Sequence, residues 1–131
     1  MQHPTTAEIM ERFNHAFLAH DPAGLPDLID DDCVMEAIEP APDGARYEGR
    51  DACLGFWLAL VNNRQTQFEP EVVTVADQTA TIRWRFRFGP GPRDYVRGVN
   101  LMRVSAGKIV EALGYSKTPG GGGSPLADVV S

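Results

Sequence analysis

The chain has 131 residues, a net charge of −6 and 43% apolar residues. That is one domain by size, large enough to bury a core and a small pocket. A net acidic chain without a Lys-rich stripe argues against a nucleic-acid partner. No apolar run approaches the ~20 residues a membrane span needs, and the polar N-terminus lacks a signal-peptide pattern. The expectation is a cytoplasmic protein with no membrane partner. The charge is uneven: residues 1–51 hold 12 acids against 3 arginines, and residues 52–131 hold 6 acids against 9 Lys and Arg.

Thr5 or Thr6 caps a helix running to about Ala19, with Ile9, Phe13, Ala16 and Phe17 as its apolar stripe. Thr5-Thr6-Ala7-Glu8 also fits the reciprocal Thr-x-x-Glu cap. His20-Asp21-Pro22 ends this helix. A short second helix follows, with Asp21 as cap, Pro22 at its first position, and Leu25, Leu28 and Ile29 inward. Asp30-Asp31-Asp32 reads as a polar turn and Cys33–Glu39 as a strand stopped by Pro40. Pro40–Gly49 is a loop. Asp51–Asn62 is a helix apolar nearly all round, which predicts burial on most sides.

Gln67–Ala76 and Ala80–Phe88 form a hairpin around Asp77-Gln78. In the second strand Ile82, Trp84, Phe86 and Phe88 alternate with Thr81, Arg83, Arg85 and Arg87, giving one aromatic and one cationic face. The cationic row reads as a solvated or ion-paired outer face rather than a nucleic-acid surface. Gly89-Pro90-Gly91-Pro92 is a wide loop. Val96–Val104 and Lys108–Lys117 form the last hairpin across Ser105-Ala106-Gly107. That loop predicts Val104 opposite Lys108, Met102 opposite Val110, Asn100 opposite Ala112 and Gly98 opposite Gly114. Small residues on this inner face, beside an aromatic strand, predict a cavity. Residues 1–118 form the domain, and 119–131, with the Gly120–Gly123 run, a flexible tail.

Cys33 and Cys53 lack metal-ligand spacing and read as buried small hydrophobes in a reducing compartment. No His, Cys, Asp and Glu set has zinc spacing, and no Gly-rich phosphate loop is present, so neither a metal nor a cofactor is expected. His3, His15 and His20 lie off the apolar faces, His20 in an exposed turn.

The order is ααβα followed by four antiparallel strands, an α+β arrangement with helices on one face of a bent sheet. Three stretches carry a resemblance. They are Ile9–Asp21 with Leu28-Ile29-Asp30-Asp31-Asp32, then Tyr47-Glu48-Gly49-Arg50-Asp51-Ala52, then Arg97-Gly98-Val99-Asn100 with Gly107-Lys108-Ile109-Val110-Glu111. In this order, over residues 7–117, they resemble the nuclear transport factor 2-like superfamily and, within it, SnoaL-like and ketosteroid-isomerase-like proteins. The resemblance implies a cone of sheet wrapped on helices, a pocket at the open end, and a dimer through the outer sheet face. It does not specify a reaction, since such folds host isomerases, cyclases, dehydratases and non-catalytic binders.

Two routes select Glu39 as an acid–base group. Alternation places it inward with Cys33, Met35 and Ala37, while Glu36 points outward unless a bulge reverses the parity. By resemblance, the isomerase-like base is a carboxylate just before a Pro at the end of the first strand, as in Glu39-Pro40. A pocket would desolvate it and suit it to proton transfer; a solvated rim position is the alternative. Asn100 stands where isomerase-like members carry a carboxylic acid, and its amide could still donate to an oxyanion. Phe13 replaces the donating Tyr of that family, which disfavours the steroid reaction itself. Phe13, Phe17, Met35, Phe56, Trp84, Phe86, Met102, Ala112 and Gly114 are the candidate lining for a hydrophobic carbonyl-bearing ligand, although Met35, Met102 and the aromatics equally suit a core. Three functions remain: a proton-transferring isomerase, cyclase or dehydratase; a binder of a small apolar ligand; and a dimerisation domain with a vestigial pocket. On the outer face of the last hairpin, Val99, Leu101, Ile109, Leu113 and Tyr115 leave an apolar patch that predicts a homodimer, the alternative being a monomer whose outer face the 119–131 tail shields.

Overall fold

The computed structural model describes residues 3–40 and 42–117, so the tail expected over 119–131 lies outside the described residues. Helix α1, Thr6–Leu18, opens on Thr5, whose hydroxyl accepts from the Glu8 N–H while the Glu8 carboxylate accepts from the Thr5 N–H. This is the reciprocal cap the sequence encodes. Its inward stripe, including Ile9, Met10, Phe13, Ala16 and Phe17, is buried.

His20, expected in an exposed turn, is half-buried and ties three elements together. It takes a left-handed conformation, φ 51°, just past the helix end. The His20 N–H donates to the Phe17 carbonyl and the Asp21 N–H to the Ala16 carbonyl, closing the last turn. Its Nδ1 lies 2.8 Å from the Val61 carbonyl oxygen and its Nε2 3.0 Å from Gln67 Oε1.

The second helix is shorter and later than expected, a 3-10 turn over Pro26–Leu28. Asp21 still caps a turn, accepting from the Ala23 N–H at 3.0 Å, and Leu25, Leu28 and Ile29 are buried as the pattern required. Strand β1 runs Ile29–Glu36, so the Asp30-Asp31-Asp32 run lies in a strand rather than a turn. Within it Cys33 and Met35 are buried, while the neighbours Asp31 and Asp32 are both exposed, so the alternation is broken at the acids, where the strand's pairing is irregular between Ile29 and Val34. A three-residue strand β2, Arg46–Glu48, lies within the expected loop and pairs antiparallel with β1.

Helix α2, Arg50–Asn62, buries only Cys53, Trp57 and Val61 fully. Leu54, Phe56, Leu58 and Leu60 stay half-buried, and Ala52, Gly55 and Ala59 are exposed. The expected all-round burial is therefore corrected to a single stripe at i, i+4 and i+8 packed on the sheet.

Strands β3 (Gln67–Ala76), β4 (Thr79–Arg87), β5 (Tyr95–Ser105) and β6 (Lys108–Ser116) complete a six-stranded sheet of order β2-β1-β6-β5-β4-β3. All pairs are antiparallel except β1 with β6, so the sheet is mixed. The fold is the α+β cone that the element order implies.

The last hairpin departs from its expected register. Ser105 pairs with Lys108, leaving a two-residue turn in which Ala106 and Gly107 both have positive φ, at 50° and 78°. The pairing then shifts between Arg103 and Val104, so Val104 faces Ile109 while Arg103 faces Glu111. Met102 consequently faces Ala112, Asn100 faces Gly114 and Gly98 faces Ser116. Val110 is the extra residue of the bulge, and Ile109 takes the buried position expected of Val110. The total offset is even, so the other inner-face residues keep their side of the sheet.

The inner face is packed where a cavity was expected. Phe13, Phe17, Met35, Trp84, Met102 and Ala112 are all no more than 4% exposed. Phe13 meets Phe17 and Trp57, Phe17 meets Phe68, and Phe68 meets Trp84, with ring centroids 4.9 to 5.5 Å apart. Trp84 pairs with Gly98 across β4 and β5, and its indole fills the space above that glycine. A Cβ on Gly98 would stand 2.5 Å from Cη2 and Cζ2 of Trp84 and would collide with the Tyr115 carbonyl oxygen. Gly98→Ala should therefore cost about 1–3 kcal/mol. Urea denaturation measures it, and a cost below about 0.5 kcal/mol would show an indole free to swing aside.

Cys33 and Cys53 are free and fully buried, as small hydrophobes. The Cys53 thiol donates to the Cys33 and Tyr47 carbonyls at 3.4 and 3.6 Å. Loss of water pushes both thiols above the ordinary range, Cys33 the more strongly because Cys53 adds to the effect. The folded chain thus keeps protons that the unfolded chain releases above about pH 8.5. Stability from this source is complete below that pH and declines as pH rises through it. Cys33→Ala should flatten that decline, seen by comparing urea midpoints at about pH 7 and about pH 9.5. Parallel declines in the two proteins would refute the assignment.

Candidate functional site

The open end of the cone lies where β1 and β6 finish, β4 finishes and β5 begins. Ile38, Tyr47, Phe56, Phe86 and Val96 pack against the core there without being sealed by it. Tyr47 and Phe56 stack obliquely at 5.2 Å. Asn100, half-buried, is the inward polar residue of β5 between Met102 and Gly98.

The amide of Asn100 is held by one bond. Trp84 Nε1 donates to Asn100 Oδ1 at 3.1 Å. An indole N–H can only donate, so the atom facing it must be the amide oxygen. The amide nitrogen makes no hydrogen bond among the described residues, and the residue is half-buried. Gly114 permits a close approach here: a Cβ there would stand a tight 3.3 Å from Asn100 Oδ1, and 3.2 Å from Ile38 Cγ2 and the Glu36 carbonyl oxygen. The end of β1, Asn100 and the end of β6 therefore meet at one place.

Glu39 does not have the burial that alternation implied. Cys33, Met35 and Ala37 are buried in turn, but regular pairing stops at Glu36, and Glu39 is exposed. The period of two ends with the strand, and the backbone turns instead: the Ala45 N–H donates to the Glu39 carbonyl and the Gly44 N–H to the Pro40 carbonyl. Glu39 thus stands in solvent, one residue past Ile38. Glu36 faces outward as expected and pairs with Arg46 at 3.2 Å.

The remaining sequence candidates divide cleanly. Phe13, Phe17, Met35, Met102 and Ala112 belong to the sealed core. Phe56, Phe86 and Gly114 stand at the open end, and Trp84 links the two groups. Phe88, expected on the aromatic wall, lies past the end of β4 and is 53% exposed. Ile38, Tyr47 and Val96 were not singled out from sequence. Tyr47 sat in an apparent loop, and only pairing with β1 brings it to the mouth.

Two surface depressions lie elsewhere. One, of about 660 Å³, runs along the outer side of α1 past Arg12, Asn14, His15 and Pro70. The other, of about 430 Å³, lies on the outer sheet face among Glu71, Arg83, Arg97 and Tyr115. On that face Arg87 pairs with Glu69 at 3.1 Å, Arg97 with Glu71 at 3.0 Å and Arg85 with Glu71 at 3.9 Å. Arg85 and Arg87 also stack over Tyr95. Two of the three arginines in the cationic row therefore find their carboxylates within the chain. Among the described residues no cluster of three or more His, Cys, Asp and Glu could hold a metal, and no helix is long and apolar enough to cross a membrane.

Residues 10–112 match the family model of the SnoaL-like domain. No curated protein matches. Among solved structures, an NTF2-like protein of unknown function from Mesorhizobium loti is 52% identical, over 90% of this chain and 99% of that one, with a TM-score of 0.82. A putative polyketide cyclase from Sinorhizobium meliloti is 24% identical, over 81% of this chain and 92% of that one, with a TM-score of 0.65. A steroid delta-isomerase from Pseudomonas aeruginosa is 15% identical, over 89% of this chain and 82% of that one, with a TM-score of 0.71. The last two show a shared fold. With a family model covering most of its length and a half-identical structural relative, this chain belongs to the SnoaL-like domain family of the nuclear transport factor 2-like superfamily.

Proposed function

We propose that the open end of the cone binds a hydrophobic small molecule carrying one carbonyl, with Asn100 donating to the carbonyl oxygen. The observation behind this reading is an amide N–H with no partner among the described residues, at the end of the sheet where Ile38, Tyr47, Phe56 and Phe86 are only half-buried. An apolar rim favours a ligand that sheds water, and one oriented donor gives it direction. The solved structures described as a polyketide cyclase and a steroid delta-isomerase share this fold, which is consistent with a ligand of that kind.

A proton-transfer reading adds Glu39. Its place next to Ile38 brings a carboxylate to the edge of the mouth. In that reaction Glu39 takes a proton from the carbon beside the carbonyl. The C–H electrons form the enolate double bond, the charge moves to oxygen and Asn100 donates to it, and Glu39 returns the proton to the other end of the system. No cofactor enters this scheme. The exposure of Glu39 favours simple binding over catalysis unless the ligand itself covers the carboxylate.

Methyl naphthyl ketone separates the two readings. Heteronuclear NMR should show it perturbing Ile38, Phe56, Phe86 and Asn100, and Asn100→Leu should weaken it by roughly two- to tenfold. Catalysis predicts exchange of its methyl protons in deuterium oxide, slowed by about 10²-fold or more in Glu39→Gln. Binding without exchange leaves a ligand carrier, and no binding overturns the assignment.

The assembly proposed with this function is a homodimer through the outer sheet face. Val99 faces Tyr115 and Leu101 faces Leu113 across β5 and β6, and Leu101 and Tyr115 are 43% and 53% exposed. With Val72 of β3, 45% exposed on the same face, they leave apolar surface that a second copy would cover. Light scattering at micromolar concentration should give a dimer mass, reduced to a monomer by Leu101→Glu. A wild-type monomer would rule the dimer out.

A further inference from the structure

Resting on the reading of this mouth as a ligand site, we infer that Trp84 is a positioning residue that makes the site selective for hydrogen-bond acceptors. A lone Asn side chain is ambiguous. Its two ends are nearly isosteric, and a half-turn of the amide exchanges a donor for an acceptor. Trp84 removes that freedom. Its indole N–H has no lone pair to offer and stands 3.1 Å from the amide, so the oxygen must face it and the NH₂ must face away.

The indole is itself held. It is 4% exposed, its ring lies over Gly98, and its flank meets Phe68 at 5.5 Å. Rotating the amide would bring its NH₂ against the buried indole N–H, donor against donor, and leave that N–H without a partner. The donor at the mouth is thus set before any ligand arrives, which lowers the ordering needed on binding. A ligand carbonyl, ether or ester oxygen is accepted there. An ammonium or amide N–H in the same position meets a donor and is disfavoured.

Matched probes test this. Methyl naphthyl ketone and ethylnaphthalene share size and apolar surface and differ in one acceptor. Wild type should prefer the ketone by roughly five- to tenfold. Trp84→Phe keeps most of the ring and loses the N–H, and it should reduce that preference by roughly two- to fivefold while ethylnaphthalene affinity stays the same. Asn100→Leu should abolish the preference, and Trp84→Phe in the Asn100→Leu background should change it no further. A loss of packing alone would weaken both probes together and leave their ratio unmoved.

Because Trp84 is buried, a second measurement does not depend on the variant folding. In the free wild-type protein the Trp84 indole proton should exchange slowly with solvent, and Asn100→Leu should speed that exchange at least about tenfold by removing its acceptor. Full ketone preference in Trp84→Phe, or an indole proton indifferent to Asn100→Leu, overturns the inference and leaves the ligand site standing. A ketone preference unchanged in Asn100→Leu, or binding of neither probe, overturns both.

Discussion

The inner face of this sheet is organised by one close approach, the Trp84 indole over Gly98. The approach requires a residue without a side chain opposite a large ring, and the β4–β5 register supplies it. From that position the indole does two things. Its edge closes the core by meeting Phe68, which continues through Phe17 and Phe13 to Trp57 on α2. Its N–H reaches sideways to Asn100. The sealed floor and the polar group above it are therefore set by one side chain, and disturbance of the floor reaches the amide.

The opposite face obeys a different rule. Arg85, Arg87 and Arg97 are held by the neighbouring strands: by Glu69 and Glu71 on β3 and, for the first two, the Tyr95 ring on β5. These pairs are partly exposed, and each contributes little to stability by itself. Their arrangement still matters, because it leaves Val99, Leu101, Leu113 and Tyr115 as an apolar strip beside the charges. Arg103 and Glu111, 3.6 Å apart, sit at its far end. Their pairing exists only because of the bulge that shifts β6.

Period and capping were legible in the sequence, and pairing was not. The Thr5 and Glu8 cap, the α1 stripe and the alternation of β4 rest on neighbours within a few residues, where local geometry decides the outcome. Strand β2 is only Arg46–Glu48, too short to show a period, and it exists because β1 offers it an edge. The two-residue turn at Ala106-Gly107 requires φ > 0 at an alanine, which residue preference argues against. Ile109 and Val110 exchange roles at the bulge, and the other face assignments hold because two slips of one residue restore parity. Glu39 had no such protection. Alternation was carried through Ala37 and then extended past the point where pairing with β2 and β6 stops. His20 was misplaced for a related reason: its partners, Val61 and Gln67, are 41 and 47 residues away.

The exposure of Glu39 bears on the order of events in the proposed chemistry. A carboxylate in water is well solvated and a weak base toward carbon; proton transfer becomes effective when water is excluded from around it. The described residues provide an oriented donor in Asn100 but leave Glu39 uncovered. The missing exclusion would have to come from the ligand, whose apolar body fills the mouth between Phe56, Phe86 and Ile38. Recognition by Asn100 would then precede activation of Glu39. In that chemistry a ligand too small to cover the rim would bind without reacting, and the same site would hold one molecule and transform another.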